Sequence, residues 1–201
     1  MILAIDVDGV LADFNSTYVP HVIQYTGKDL FPPDYDMRQP PCWDYPPVFG
    51  YTQEEYKKSF SAIKDVDNFW RWLQPEPGAE EALKRLDLAS ADHDIFFITN
   101  RSGSRVKQQT EEWLRDYGMT FPTVIVAADK TPFLRALKVE VFVDDRIVTA
   151  NDTLRVAQEE QWPNFRMYLP DRTYNREGRD IVAAGLIVVA DINEALDREG
   201  L

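Results

Sequence analysis

Short apolar runs recur along the chain, separated by stretches whose apolar positions repeat every three or four residues. The first run, I-L-A-I at 2–5, predicts a buried strand over 2–6. Phe14, Tyr18, Val22 and Tyr25 then follow helical spacing, predicting a helix over 14–25. Further strands are expected over 94–99 (D-I-F-F-I-T), 124–127 and 139–143, with shorter ones over 166–169 and 186–189. Helices are expected over 53–64, 79–89, 104–117 and 192–198. Thr52 followed by Glu55 is a capping-box signature for the helix at 53, and Gly118 closes the one at 104.

Residues 31–50 break the rhythm. They read F-P-P-D-Y-D-M-R-Q-P-P-C-W-D-Y-P-P-V-F-G, and six prolines forbid a regular helix or a central strand. The stretch is too aromatic for a disordered linker, so it reads as an ordered loop packed by its own rings. Elsewhere, apolar strands alternating with amphipathic helices predict a Rossmann-like α/β fold, a parallel sheet with helices on both faces. The expected division is a core of 1–14 and 76–201, with 15–75 as a small helical, aromatic- and proline-rich cap inserted after the first strand.

Composition narrows the function. The 201 residues suffice for one core domain with an insertion, and 44% hydrophobic with 28% charged residues is ordinary for a globular chain. A net charge of −12 disfavours a long nucleic-acid partner. No apolar run approaches transmembrane length, and the N-terminus M-I-L-A-I-D lacks the basic start of a secretion signal. Cys42 is the single cysteine, which excludes an intrachain disulfide. The expectation is a soluble cytoplasmic protein without a membrane partner; a homodimer is compatible with the sequence.

In open parallel sheets, ligands bind past the carboxyl ends of the strands. Four clusters fall at that rim: Asp6 and Asp8 followed by Gly9, then Thr99 with Asn100 and Arg101, then Lys130, then Asp144 and Asp145. Paired carboxylates beside apolar runs repel and are costly to desolvate unless a cation completes them. Mg²⁺ suits such oxygen donors alongside a phosphate. Each cluster alone has an ordinary structural explanation. Asp6 and Asp8 could form a solvated turn, Thr99 could cap the helix near Ser104, Lys130 could be a surface lysine, and Asp145 could pair with Arg146. Lys138 is an alternative to Lys130.

Taken in order, D-x-D-G-V, apolar-T-N, K and apolar-D-D resemble the haloacid dehalogenase superfamily of phosphotransferases, across roughly residues 1–14 and 77–150. The resemblance implies Asp6 as the nucleophile that forms an aspartyl-phosphate. It implies Asp8 as general acid/base, giving its backbone carbonyl to Mg²⁺. Thr99 would bind the phosphoryl group, Lys130 would offset charge, and Asp145 would be the direct Mg²⁺ ligand with Asp144 assisting. Asp8 disfavours the dehalogenase branch of the superfamily, which lacks the second acid.

Within that superfamily, D-V-D-G-V-L-A-D-F at 6–14 and D-N-F-W-R-W-L-Q-P-E-P-G-A at 67–79 are similar to the 5′(3′)-deoxyribonucleotidase family, as are D-K-T at 129–131 and D-D-R at 144–146. That similarity implies a nucleoside monophosphate as the small phosphorylated substrate. Its base would be held by Phe14, Trp43, Phe69 and Trp70, with Asn100 and Arg101 also at the substrate. T-N-R-S-G at 99–103 departs from that family's usual continuation, and the region after Asp152 carries the resemblance poorly. The alternatives are a polynucleotide 3′-phosphatase, suggested by V-D-D-R and a helix at 143–157, a sugar or small-metabolite phosphatase, and a catalytically silent binding protein.

Overall fold

The computed structural model describes residues 1–201, apart from the side chain of Ile181. The strands are β1 (Ile2–Ile5), β4 (Asp94–Thr99), β5 (Val124–Val126), β6 (Val141–Val143), β7 (Arg166–Pro170) and β8 (Leu186–Val189), with a short pair β2 (Ala12–Asp13) and β3 (Gln74–Pro75). The helices are α1 (Phe14–Thr26), α2 (Gln53–Ala62), α3 (Ala79–Ala89), α4 (Val106–Asp116), α5 (Thr131–Leu137), α6 (Ile147–Glu159) and α7 (Ile192–Glu199). Six strands form one parallel sheet in the order β5-β4-β1-β6-β7-β8, so β1 lies between β4 and β6. The expected α/β class is the one observed.

Strand alternation sorts side chains to two faces. Leu3 and Ile5 of β1 join a cluster with Leu83 and Leu86 of α3, Trp113 and Leu114 of α4, and Ile192 and Leu196 of α7. Ala4 faces the other way and joins Leu134 of α5 and Ala150 and Leu154 of α6. The first cluster continues without a break into the inserted residues, through Tyr18, Val19, Val22, Ile63, Phe69, Trp70 and Leu73. The chain leaves the sheet and returns to it through the antiparallel β2–β3 ladder, Ala12 opposite Pro75 and Asp13 opposite Gln74.

Residues 27–52 are ordered by their rings. Phe31 stacks on Tyr35 with centroids 5.1 Å apart, and Phe49 lies 5.0 Å from Phe31. Pro46–Phe49 form one 3₁₀ turn, which accepts proline at its start. The capping box at Thr52 and Glu55 is present.

Some boundaries differ from the sequence expectation. β6 begins at Val141 and not at 139, because the Val139 N–H donates back to Leu134 O (3.0 Å) to close α5 and is unavailable to the ladder. α4 begins at Val106, since Arg105 adopts a left-handed φ of 54°. α5 was not expected; it is seven residues long with proline in its first turn, where the missing N–H costs nothing. The β2–β3 pair is too short to leave a periodic signal.

Trp113 is fully buried where α4 meets the returning chain, and its indole N–H donates to Leu73 O at 2.8 Å. Trp113→Ala should therefore destabilise by about 3–5 kcal/mol through the cavity left behind. Urea unfolding of the two proteins measures this; a loss under about 1 kcal/mol would mean the site collapses freely.

Candidate active site at the carboxyl rim of the sheet

The parallel ladder runs one residue beyond the strand ends. Asp6 N donates to Val143 O (2.9 Å) and Asp144 N donates to Tyr168 O (3.2 Å). That extension sets Asp6 beside Asp144, with Asp145 next in the chain. All three carboxylates are buried, and one oxygen from each lies within 4.8 Å of the others. Lys130, at the start of α5, reaches into the group: its Nζ lies 2.6 Å from Asp6 Oδ2 and 2.7 Å from Asp144 Oδ2. Lys138, by contrast, is exposed at the end of α5.

The electrostatics follow from burial. Desolvation pushes the Asp6 carboxyl well above the usual carboxylate range; Lys130 opposes this, while Asp144, Asp145 and Asp8 add to it. Asp145 is raised to about 7, first by burial and then by Asp144. Burial disfavours the charge on Lys130, but Asp144 and Asp6 outweigh it and hold the ammonium protonated.

The residues fit a hard divalent cation. The donors are all carboxylate oxygens, as Mg²⁺ prefers. Asp144 has both oxygens engaged, by Lys130 Nζ and by Arg146 N. Asp145 Oδ2 accepts from the Tyr174 hydroxyl, while Oδ1 is buried without a partner. A buried, unpaired carboxylate oxygen in a cluster with two other carboxylates is a place for a cation. Gly9 permits the close packing: a Cβ there would stand 2.2 Å from Asp145 Oδ2 and 2.7 Å from the Tyr174 hydroxyl.

Asp8 stands outside this acidic group. Its Oδ1 accepts from Arg101 Nη2 (2.7 Å), and its Oδ2 accepts from Arg101 Nε (2.9 Å) and the Thr99 hydroxyl (3.2 Å). Arg101 also donates to Thr110 (2.9 Å) and lies over the Trp70 ring, 5.0 Å from its centroid. Thr99 therefore does not cap a helix, and the guanidinium of Arg101 is committed to Asp8 and Thr110.

A cleft of about 250 Å³ opens above these groups. Asp6, Asp8, Asn100 and Lys130 form its polar part, with Phe14, Trp43, Tyr56, Phe60 and Trp70 as its aromatic wall. Of the rings expected at a substrate, Phe69 is the exception. It is buried behind the wall, 6.1 Å from Phe14 and 5.1 Å from Trp70. Tyr56, Phe60 and Arg146 also line the cleft; sequence reasoning did not single out the two rings and considered Arg146 only as a partner for Asp145. Arg146 stacks on Trp43 at 4.6 Å. Tyr174 and Asn175 were also missed. They lie after β7, in a region without a recognisable motif. Asn175 Nδ2 donates to Asp145 O (2.7 Å) and Pro170 O (2.9 Å).

No protein-family model matches the chain, and no curated protein sequence does either. Solved structures do match. A haloacid dehalogenase-like hydrolase from Burkholderia xenovorans aligns over 99% of this chain and 96% of its own, with a TM-score of 0.59 and 16% identity. A protein described as a phosphoglycolate phosphatase from Lactobacillus plantarum aligns over 98% of this chain and 97% of its own (TM-score 0.55, 15% identity). An L-2-haloacid dehalogenase aligns over 99% and 98% (TM-score 0.51, 13% identity). At these identities the likeness establishes the fold: the chain has the haloacid-dehalogenase-like α/β architecture. No helix among the described residues is long and apolar enough to cross a membrane.

The raised carboxyls carry a pH signature. A carboxyl whose pKa is higher folded than unfolded binds extra protons in the folded state, so stability falls as pH rises from its unfolded value to its folded one. With Asp145 raised to about 7 and Asp6 also raised, the cation-free protein should lose thermal stability between about pH 4 and pH 7. Divalent cations should restore more of it at pH 8 than at pH 5. Melting curves in EDTA and in MgCl₂ at both pH values test this, and equal shifts at the two would count against it.

Proposed function

We propose that this chain is a phosphomonoesterase that requires a divalent cation, Mg²⁺, and hydrolyses nucleoside monophosphates through an aspartyl-phosphate on Asp6. The observation that carries the reading is the buried set Asp6, Asp144, Asp145 and Lys130, of which Asp6 and Lys130 line an aromatic-walled cleft. Bound among the carboxylates, the cation would offset the repulsion between Asp6 and a phosphate dianion. Asp6, Asp144 and Asp145 would hold it, with Asp145 Oδ1 as the free donor.

The chain's own groups account for the rest. Lys130 fixes Asp6 and neutralises part of the charge that gathers there. An oxygen of Asp6 bonds to phosphorus, and the ester oxygen departs with the electrons of the P–O bond and takes up the proton that Asp8 donates. Water then attacks the aspartyl-phosphate, Asp8 removes a proton from it, and inorganic phosphate leaves with Asp6 restored. Both Asp8 oxygens accept from Arg101, which fixes the orientation of the carboxylate. Positioning and electrostatics supply most of the acceleration in such phosphoryl transfers.

Phe14, Trp43 and Trp70 support the nucleotide reading, because flat aromatic faces stack on any base. Residues 14–73 overhang the cleft through Phe14, Trp43, Tyr56, Phe60 and Trp70, which favours a small substrate over a polymer.

The test is phosphate release across a panel of nucleoside monophosphates, sugar phosphates and a 3′-phosphorylated oligonucleotide, and halide release from a 2-haloacid, each with and without Mg²⁺. Cation-dependent turnover should concentrate on the nucleoside monophosphates. Asp6→Asn should abolish it with the fold intact. Phe14→Ala should raise KM for nucleotides by about tenfold, the scale of one lost stacking contact, and leave any sugar phosphate unchanged. Equal turnover of sugar phosphates would reject the base pocket, and halide release from the haloacid would replace the reading with dehalogenation.

A further inference from the structure

The segment after β7 lies outside every motif that marks the site, yet it reaches into the site's centre. Arg172 Nε donates to Gly9 O (3.1 Å), in the turn that follows Asp8. The Thr173 hydroxyl donates to Pro40 O (2.7 Å), in the proline-rich loop. The Tyr174 hydroxyl donates to Asp145 Oδ2, and its ring meets Trp43 edge-on at 5.6 Å. Asn175 holds the Asp145 carbonyl at 2.7 Å. Four consecutive side chains thus touch the first-strand turn, the aromatic loop and the Asp145 carboxylate with its backbone.

We infer that Tyr174 is a positioning residue for the cation. Its hydroxyl occupies one oxygen of Asp145, which leaves the other, Oδ1, as the buried oxygen without a hydrogen-bond partner in the cluster that Asp145 forms with Asp6 and Asp144. A carboxylate with both oxygens free can rotate or chelate; with Oδ2 engaged, Asp145 offers a single fixed donor. Partners of this kind set the orientation of a metal ligand, and their loss commonly weakens cation binding about 10- to 100-fold. Because Tyr174 also contacts Trp43, and Thr173 holds Pro40, the same segment ties the cation carboxylate to the loop that walls the cleft.

The inference rests on the cation reading of the three carboxylates and is independent of the substrate. Tyr174→Phe removes the hydroxyl and keeps the ring. Tyr168→Phe is the matched control: its hydroxyl donates to Glu199 (2.5 Å), away from the acidic group. Metal-free proteins are titrated with Mn²⁺ by calorimetry, without substrate, after melting curves in EDTA confirm that both variants fold. The expected result is a Kd for Mn²⁺ raised about 10-fold or more in Tyr174→Phe and unchanged in Tyr168→Phe. An unchanged or tighter Kd in Tyr174→Phe overturns the inference and leaves the cation site standing, as does an equal loss in both variants. A wild-type protein that takes up no Mn²⁺ overturns the cation site itself.

Discussion

Three carboxylates share a dry corner of the sheet with a single ammonium group, and that surplus of negative charge constrains everything around it. Asp6, Asp144 and Asp145 are each nearly or fully buried, and Lys130 can meet only two of them directly. Carboxylates left in this state without compensation are costly, and the raised proton affinity of Asp6 and Asp145 expresses that cost. The backbone makes the arrangement unavoidable. Asp6 and Asp144 are the first residues past β1 and β6, and their N–H groups continue the ladder to Val143 and Tyr168. Side chains placed by a sheet at this spacing cannot move apart, so protons or a cation must relieve the repulsion.

The inserted residues are bound into the same framework. Their apolar side chains merge with the cluster beneath α3, α4 and α7, so the wall of the cleft shares a core with its floor. Asp13 shows how closely the parts are joined. It belongs to the exit strand β2, its side chain accepts from Ser16 N (3.0 Å) to cap α1, and it pairs with Arg38 of the aromatic loop (2.8 Å). The position of Phe14, the first residue of α1, over the acidic group therefore follows from the turn that carries Asp6 and Asp8.

What was legible in the sequence follows the reach of local signals. β4, α3 and β8 have the expected limits because apolar periodicity and flanking turns define them. The rim residues Asp6, Asp144, Asp145 and Lys130 were visible because each follows an apolar run and the strand-end rule brings such positions together. Arg101 and Phe69 show the limit of that reasoning. A linear motif places a residue near a site and leaves its side-chain direction open. Arg101 turns to Asp8, and Phe69 packs behind Phe14 and Trp70. Tyr174 and Asn175 were invisible for a different reason: they act through long-range contacts to Asp145, about 30 positions away, which no spacing rule encodes.

The anionic substrate proposed for this protein of net charge −12 raises a question of approach. At physiological ionic strength, charges farther away than about 8 Å are largely screened, so the field at the cleft mouth matters more than the total. There, Arg146 lines the cleft, stacked on Trp43, with no ion pair among the described residues. Arg101 is neutralised by Asp8, and Lys130 by Asp6 and Asp144. Arg146 is therefore the lining cation that carries unspent charge, and it sits on the aromatic side of the cleft. A phosphate entering past Trp43 would meet a positive group before it met the carboxylates. The acidic surface repels polyanions at large, while this one guanidinium makes the entrance locally favourable to a small one.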